Sequence, residues 1–178
     1  MKDNFEQCFA LVLKTEGGFQ DDPHDLGNVL ADGRPGCTNM GVTQATWEAW
    51  VGHMVTHADM RALTPNDVLP LYKKNFWDGC NCDDMPYGLD YALYDLAVNS
   101  GVRRAIRFLQ QVLGVTDDGV IGPATMVAIN GGDDRDLIRK LCDKRLNFLR
   151  GIPSWSRYST TWGDRIASVE KTSLSMVG

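Results

Sequence analysis

Two carboxylates nine residues apart, Glu16 and Asp25, are the side chains here best placed to do chemistry. Glu16 stands at the end of an amphipathic run, in Lys14-Thr15-Glu16-Gly17-Gly18-Phe19, where two glycines stop a helix. A carboxyl group at the edge of a packed core is partly desolvated. That raises a carboxyl's pKa and lets it give a proton near neutral pH. Asp25 lies in Gln20-Asp21-Asp22-Pro23-His24-Asp25-Leu26-Gly27-Asn28, a loop able to fold back so that one acid faces the other. Two carboxylates in unlike environments are what glycoside hydrolysis needs. One protonates the leaving oxygen. The other stays ionised and polarises a water or steadies an oxocarbenium-like transition state. The same residues also have a plainer reading, as a solvated helix end and a turn former.

The segment Thr38-Asn39-Met40-Gly41-Val42-Thr43 adds two hydroxyls and an amide just before a helix start. Neutral hydrogen-bonding groups of this kind recognise sugars, with aromatic rings as stacking faces. Thr43 is also placed to cap the helix that follows, and Asn39 to form a turn.

The elements that must hold these groups are mostly helical. Phe5, Cys8, Phe9 and Val12 recur at helical spacing, so a first helix is expected from about residue 4 to 15, with Asp3 or Asn4 as its N-cap. Residues 19–42 form a long structured loop with a small hairpin at Asp32-Gly33. A helix runs from Thr43 to about Val51, and Thr64-Pro65 opens another that reaches Trp77 and is kinked at Pro70. Cys80 to Asp84 is a turn. Pro86 opens a strongly apolar helix to about Asn99, read as the central buried one. Ser100-Gly101 breaks it, and helices at 102–113, after Gly122-Pro123, and at 134–150 follow. The tail beyond Pro153 is polar and aromatic, with Trp155, Tyr158 and Trp162. The fold class expected is mainly α, with an irregular, hairpin-bearing loop region near the N-terminus.

With 178 residues and 43% hydrophobic side chains, the chain can bury a core as one domain or one domain with two lobes. A net charge of −5 makes it a poor generic nucleic-acid binder, although basic residues cluster locally at Arg103, Arg104 and Arg107. No apolar run approaches the ~20 residues of a membrane span, and Met1-Lys2-Asp3-Asn4-Phe5-Glu6-Gln7 lacks the apolar core of a signal peptide. Synthesis in the cytoplasm and release by another protein are therefore expected. The five cysteines argue against a disulfide framework. His53 and His57, four apart on a possible helix, could meet Cys80-Asn81-Cys82 in a zinc site. Cys-x-Cys is unusual for structural zinc, and no metal or other cofactor is assigned. Asp118-Gly119, followed by Gly122-Pro123, reads as a turn and a helix start.

Taken in order, these segments resemble the glycoside hydrolase family 108 lysozymes, whose pattern runs EGGY, DPxDPGG, TNxGIT. Glu16-Gly17-Gly18-Phe19, Asp22-Pro23-His24-Asp25-Leu26-Gly27 and Thr38-Asn39-Met40-Gly41-Val42-Thr43 match it. Tyr72 to Asp78 is similar to that family's Y…YWD helix end, and Asp95-Leu96-Ala97-Val98-Asn99-Ser100-Gly101 to its D-x-AVNxG helix. Ala105 to Thr125 resembles the peptidoglycan-binding region that follows. The resemblance covers nearly the whole chain. Three departures stand out: Phe19 for tyrosine, Leu26-Gly27-Asn28 for Pro-Gly-Gly, and about eight extra residues near Val29 to Gly36.

The resemblance implies a lysozyme-like fold, with a catalytic lobe at 1–100 and a peptidoglycan-binding-like lobe at 101–178 packed as one unit. It implies an N-acetylmuramidase cleaving the β-1,4 bond between N-acetylmuramic acid and N-acetylglucosamine. Glu16 falls on the family's essential acid. Asp25 becomes a water-orienting or charge-stabilising group, and Thr38 a water-holding one by analogy with other phage lysozymes. Asn39, Thr43 and Asn99 become substrate contacts. A phage endolysin is implied, with bacterial peptidoglycan as target, a holin-type export partner, no stable membrane insertion and a monomeric state; a bacterial enzyme that loosens the wall for secretion fits as well. Site of action would be the periplasm or wall after release. A zinc-dependent amidase and a non-catalytic wall-binding module are the alternatives.

Overall fold

The computed structural model describes residues 4–178, apart from the side chain of Leu26. Asp3, one of the two expected N-caps, lies outside them. The chain separates into two compact units, one made by Phe9–Lys73 and the other by the residues through Cys8 together with Lys74–Gly178. The architecture is mainly α, as expected.

The Phe9–Lys73 unit carries the loop region. Helix α1 (Phe5–Leu13) stops earlier than its apolar pattern suggested, because the Thr15 hydroxyl and amide both turn back to the Val12 carbonyl. After a long loop comes a two-stranded antiparallel hairpin, β1 (Thr38–Asn39) and β2 (Val42–Thr43), with Thr38 opposite Thr43 and Asn39 opposite Val42. Helix α2 (Gln44–Val51) starts at Thr43, whose hydroxyl accepts the Thr46 amide, as the sequence foretold. Two short helices follow, α3 (His57–Ala62) and α4 (Pro65–Tyr72). Each is opened by the same device. Asp59 accepts both the amide and the hydroxyl of Thr56, and Asp67 those of Thr64. Helix α3 was not expected, since Met60 is its only fully buried residue and gives no periodicity. The path of α4 continues to Trp77 as a π-helix over Lys73–Trp77. Phe9 meets Tyr72 edge-on at 5.4 Å in this unit's core.

The second unit is a helical assembly around α5 (Leu89–Ser100), every residue of which from Leu89 to Ala97 is buried. Helix α5 begins at Leu89 rather than Pro86. Gly88 lies at φ 86°, and a Cβ there would fall 2.2 Å from the Ser173 carbonyl oxygen. Asp90 then caps the start, accepting the Gly88 and Tyr91 amides and the Asn4 side chain. Helices α6 (Val102–Leu113), α7 (Pro123–Asn130) and α8 (Asp134–Arg150) fall where the sequence placed them, α6 closed by Gly114 at φ 69°. The sequence boundary at residue 100 does not coincide with the compact units, because α5 packs with α6 and α8. Two 3-10 turns, Asp78–Cys80 and Cys82–Asp84, replace the single turn expected there. Phe5, Trp77 and Tyr94 form an edge-to-face cluster with centroids 5.4–6.1 Å apart, each pair contributing about 0.5–1.5 kcal/mol beyond its burial.

The tail is the largest difference from expectation. It forms α9 (Trp155–Met176), a 22-residue helix. Its apolar anchors, Ile166 and Val169, are too sparse to announce it. An ion triad helps to fix it instead. Asp95 of α5 is fully buried and accepts Arg145 of α8 at 2.6 Å and Arg165 of α9 at 2.9 Å. No helix among the described residues is long and apolar enough to cross a membrane.

All five cysteines are free and buried. Burial, with Glu170 nearby, pushes the Cys142 thiol up to about 12. The triad yields a test of the second unit. Asp95→Ala leaves two guanidinium groups without their shared buried counter-ion, and should lower unfolding free energy by about 3–5 kcal/mol in urea melts.

Candidate active site

Glu16 lies just past α1, partly buried, its amide bonded to the Val12 carbonyl. Its carboxylate is set against the hairpin turn. Met40 (φ 48°) and Gly41 (φ 72°) are the two loop residues between β1 and β2, both left-handed, as a type I′ turn requires. A Cβ on Gly41 would lie 2.9 Å from Glu16 Oε2 and 2.6 Å from the Tyr72 hydroxyl oxygen. Glycine is therefore needed twice here, for its backbone angle and for the space it leaves. The Tyr72 hydroxyl donates to the Met40 carbonyl at 2.8 Å and ties the turn to α4. Phe19, the ring that stands for the family tyrosine, packs under Arg61, whose guanidinium carbon is 3.9 Å from its centroid.

Asp25 is exposed and closes its own turn. Its Oδ1 accepts the Gly27 amide at 2.9 Å, at the start of a 3-10 helix over Leu26–Asn28. Its Oδ2 accepts the Gln20 side-chain amide at 2.8 Å. From there a polar chain runs inward. The Asn28 amide donates to Gln20 Oε1 at 2.7 Å, and the Thr38 hydroxyl donates to Asn28 Oδ1 at 2.9 Å. Backbone bonds between Gln20 and Thr38, 2.8 Å in both directions, hold the ends of the chain in register. Asp25 and Thr38 are thus linked through Gln20 and Asn28, two residues that sequence reasoning did not select. Asn28 was visible only as a departure from the family's Pro-Gly-Gly. Gln20 gave no signal, because its role depends on the fold of the loop.

The other expected site residues fall out separately. Thr43 caps α2, and its methyl would be 3.5 Å from a Cβ on Gly27, so it lies beside the Asp25 turn. Asn39 is 6% exposed and donates to the Met60 carbonyl at 2.8 Å, which anchors the hairpin to α3. Asn99 belongs to the other unit, exposed in the last turn of α5. Asp118 and Gly119 both bind the buried Gln110, the structural role read from the sequence.

The extra residues 29–36 fold on themselves. Val29 bridges Pro35, Gly33 turns back to the Leu30 carbonyl, and the Gly36 amide returns to the Asn28 carbonyl at 2.6 Å. The insertion therefore leaves and re-enters the loop at Asn28, and so does not part Asn28 from Thr38. Arg34 pins it, reaching Asp32 at 2.7 Å and Glu48 of α2 at 3.0 Å. Hydrogen bonds from this guanidinium hold the Asp32 and Glu48 carboxyls below the usual carboxylate range.

The histidines do not share a helix, because α2 ends at Val51 and α3 starts at His57. His53 faces the Met54 carbonyl and His57 the Pro35 carbonyl. Cys80 and Cys82 are fully buried. Among the described residues, no group of three or more His, Cys, Asp or Glu side chains could hold a metal ion.

Residues 9–101 match the family described as glycosyl hydrolase 108, and residues 104–162 match a predicted peptidoglycan domain. Across 99% of its length the chain is similar to the solved structure of SagA from Brucella abortus, at 38% identity and a TM-score of 0.84, covering 97% of that chain. No curated protein sequence matches.

Two outcomes follow from the geometry. Gly41→Ala forces the turn against Glu16 and Tyr72. It should lower the rate of peptidoglycan digestion by at least ~10-fold while circular dichroism shows the helices intact. The Arg34 staple is pH-dependent. Its carboxylates have folded pKa values below their unfolded ones, so its stabilisation is full above the ordinary carboxylate range near ~4 and lost as pH falls through the depressed values. Amide exchange in residues 29–36 should accelerate in that acid window, and Arg34→Ala should remove the pH step.

Proposed function

Because the chain belongs to the glycosyl hydrolase 108 family and carries a peptidoglycan-binding domain, it is a peptidoglycan-hydrolysing glycosidase; we propose that it is an N-acetylmuramidase with Glu16 as its general acid. The observation that supports this assignment is the seating of the Glu16 carboxylate against Gly41, partly buried and fixed beside a turn that has no side chain at that point. The glycine leaves the room that the Glu16 carboxylate and the Tyr72 hydroxyl fill, so the acid is held at the turn. Glu16 gives its proton to the oxygen bridging N-acetylmuramic acid and N-acetylglucosamine as the C1–O bond breaks.

Asp25 and Thr38 serve the water on this reading. Gln20 and Gly27 occupy one acceptor direction on each Asp25 oxygen, leaving further lone pairs for a water proton. The Thr38 hydroxyl spends its proton on Asn28, so toward a water it acts as an acceptor. Both groups would accept hydrogen bonds from the water and leave its oxygen lone pair aimed at C1, with Asp25 taking the one proton released as the water attacks. Thr43, beside the Asp25 turn, is a candidate sugar contact, whereas Asn39 acts by holding the hairpin. The enzyme is made in the cytoplasm and acts on the wall after release, as a monomeric endolysin passing a holin-type pore or as a wall-loosening enzyme of secretion.

Glu16→Gln tests the assignment. The folded variant should release reducing ends from purified peptidoglycan at least ~100-fold more slowly than the wild type, the range expected when a general acid is removed. A rate near wild type would sink it. Asp25→Asn should cost less, because the asparagine oxygen still accepts the Gly27 amide and the Gln20–Thr38 backbone bonds still hold the loop.

A further inference from the structure

The chain is acidic overall, with 23 Asp and Glu against 18 Lys and Arg, yet one face of its helical unit has the opposite balance. Helix α6 contains no acid and projects Arg103, Arg104 and Arg107 outward. Two adjoining cavities, of about 560 and 470 Å³, open on this face. The first is bordered by these three arginines, the second lies against α8, and both share Phe108 and Gln111.

The floor of the groove is aromatic. Phe108 of α6 and Phe148 of α8 meet edge-on at 5.3 Å. Cations cover both rings, Arg104 4.8 Å from the Phe148 centroid and Lys144 5.7 Å from that of Phe108. Acids are present but outnumbered. Asp143 lines the groove, Asp117 pairs with Arg107 at 3.3 Å, and Asp136 pairs with Lys140 at 2.7 Å. Even with all three counted, cations exceed acids five to three. Gln111 and Asn147 add amide groups.

This pattern selects among the components of a cell wall. The glycan backbone is uncharged once its lactyl groups are joined to peptide, and has no use for a row of cations. The stem peptides carry free carboxylates along an extended chain with apolar side groups. The arginines are spread over roughly 6 Å of helix rather than converging on one point. That spacing suits several carboxylates in series better than a single phosphate. Guanidinium groups pair with carboxylates by charge-assisted, directional bonds. Most of the groove also lies within the segment that matches a predicted peptidoglycan domain.

We propose that the α6–α8 groove is a wall-recognition site and that it binds the carboxylate-bearing stem peptides of uncleaved peptidoglycan, an inference that rests on the peptidoglycan reading above. It makes recognition depend on wall chemistry, since amidation of stem carboxylates weakens binding.

Co-sedimentation of the full chain with three targets tests it: intact sacculi, glycan stripped of stem peptides by an amidase and then amidated at the lactyl carboxylates so freed, and phosphatidylglycerol vesicles. The wild type should prefer intact sacculi to stripped glycan, with a preference that falls as salt rises. Arg104→Ser/Arg107→Ser, checked for fold by its melting curve, should bind intact sacculi about tenfold more weakly, as expected for two lost charge-assisted contacts. Equal binding of the wild type to stripped and intact walls overturns the proposal. So does undiminished binding by the folded double variant. Vesicle binding as strong as sacculus binding overturns it in favour of an anionic membrane. Reducing-end release by the wild type from intact sacculi separates the two readings. With release, a failed binding comparison sinks the groove alone. Without release, the muramidase reading falls and the binding comparison still decides the groove.

Discussion

The hydrogen bond from the Tyr72 hydroxyl to the Met40 carbonyl ties the turn beside Glu16 to α4. It fixes a two-residue turn whose second residue must be glycine. That glycine leaves room for the Glu16 carboxylate and the Tyr72 hydroxyl at once. The acid, the hairpin and α4 are thereby joined at one small place. Helix α1 brings Glu16 there because it ends at Leu13 and turns back on Val12. The hairpin stays in place because Asn39 is bonded to the carbonyl of Met60, and Thr43 passes directly into α2. Little of this depends on large buried area. It depends on turns whose backbone angles and capping bonds are specified residue by residue.

The second polar assembly has a different character. Asp25, Gln20, Asn28 and Thr38 form a chain of three side-chain hydrogen bonds that starts at the surface and ends at the hairpin. Each member orients the next, so a group at the exposed end can be positioned without burial. The family's usual glycine could not make the Asn28 contacts. The Asn28 backbone carbonyl closes the inserted hairpin at its base, while its side chain ties the preceding loop to Thr38.

Much of the fold was legible in the sequence, and the exceptions share a cause. Helices α6 and α8 were read at the bounds they have, α6 between Gly101 and Gly114. Thr43 and Thr64 marked their helix starts through local chemistry. Helix α9 did not, because its place is set by Arg165 reaching Asp95, 70 residues away, and by a Ser173 carbonyl packed on Gly88. Helix α3 was missed although Thr56 and Asp59 carry the same capping pattern as Thr64 and Asp67. At the candidate site, the place of Glu16 past a helix end was legible from the two glycines that follow it. Its contact with Gly41 was not, since 25 residues separate them and only the folded loop joins them. Asn39 looked like a sugar contact from its neighbours in sequence, but its side chain points to Met60.

The central claim is that the carboxyl held against the Met40-Gly41 turn is the group that protonates the departing sugar. The most direct measurement is a crystal structure of the Glu16→Gln chain with a bound peptidoglycan oligosaccharide. The account predicts the side-chain amide of residue 16 within about 3 Å of the oxygen bridging N-acetylmuramic acid and N-acetylglucosamine, the reach of a proton donor. A bridging oxygen seated on another acid, with residue 16 out of reach, would contradict it.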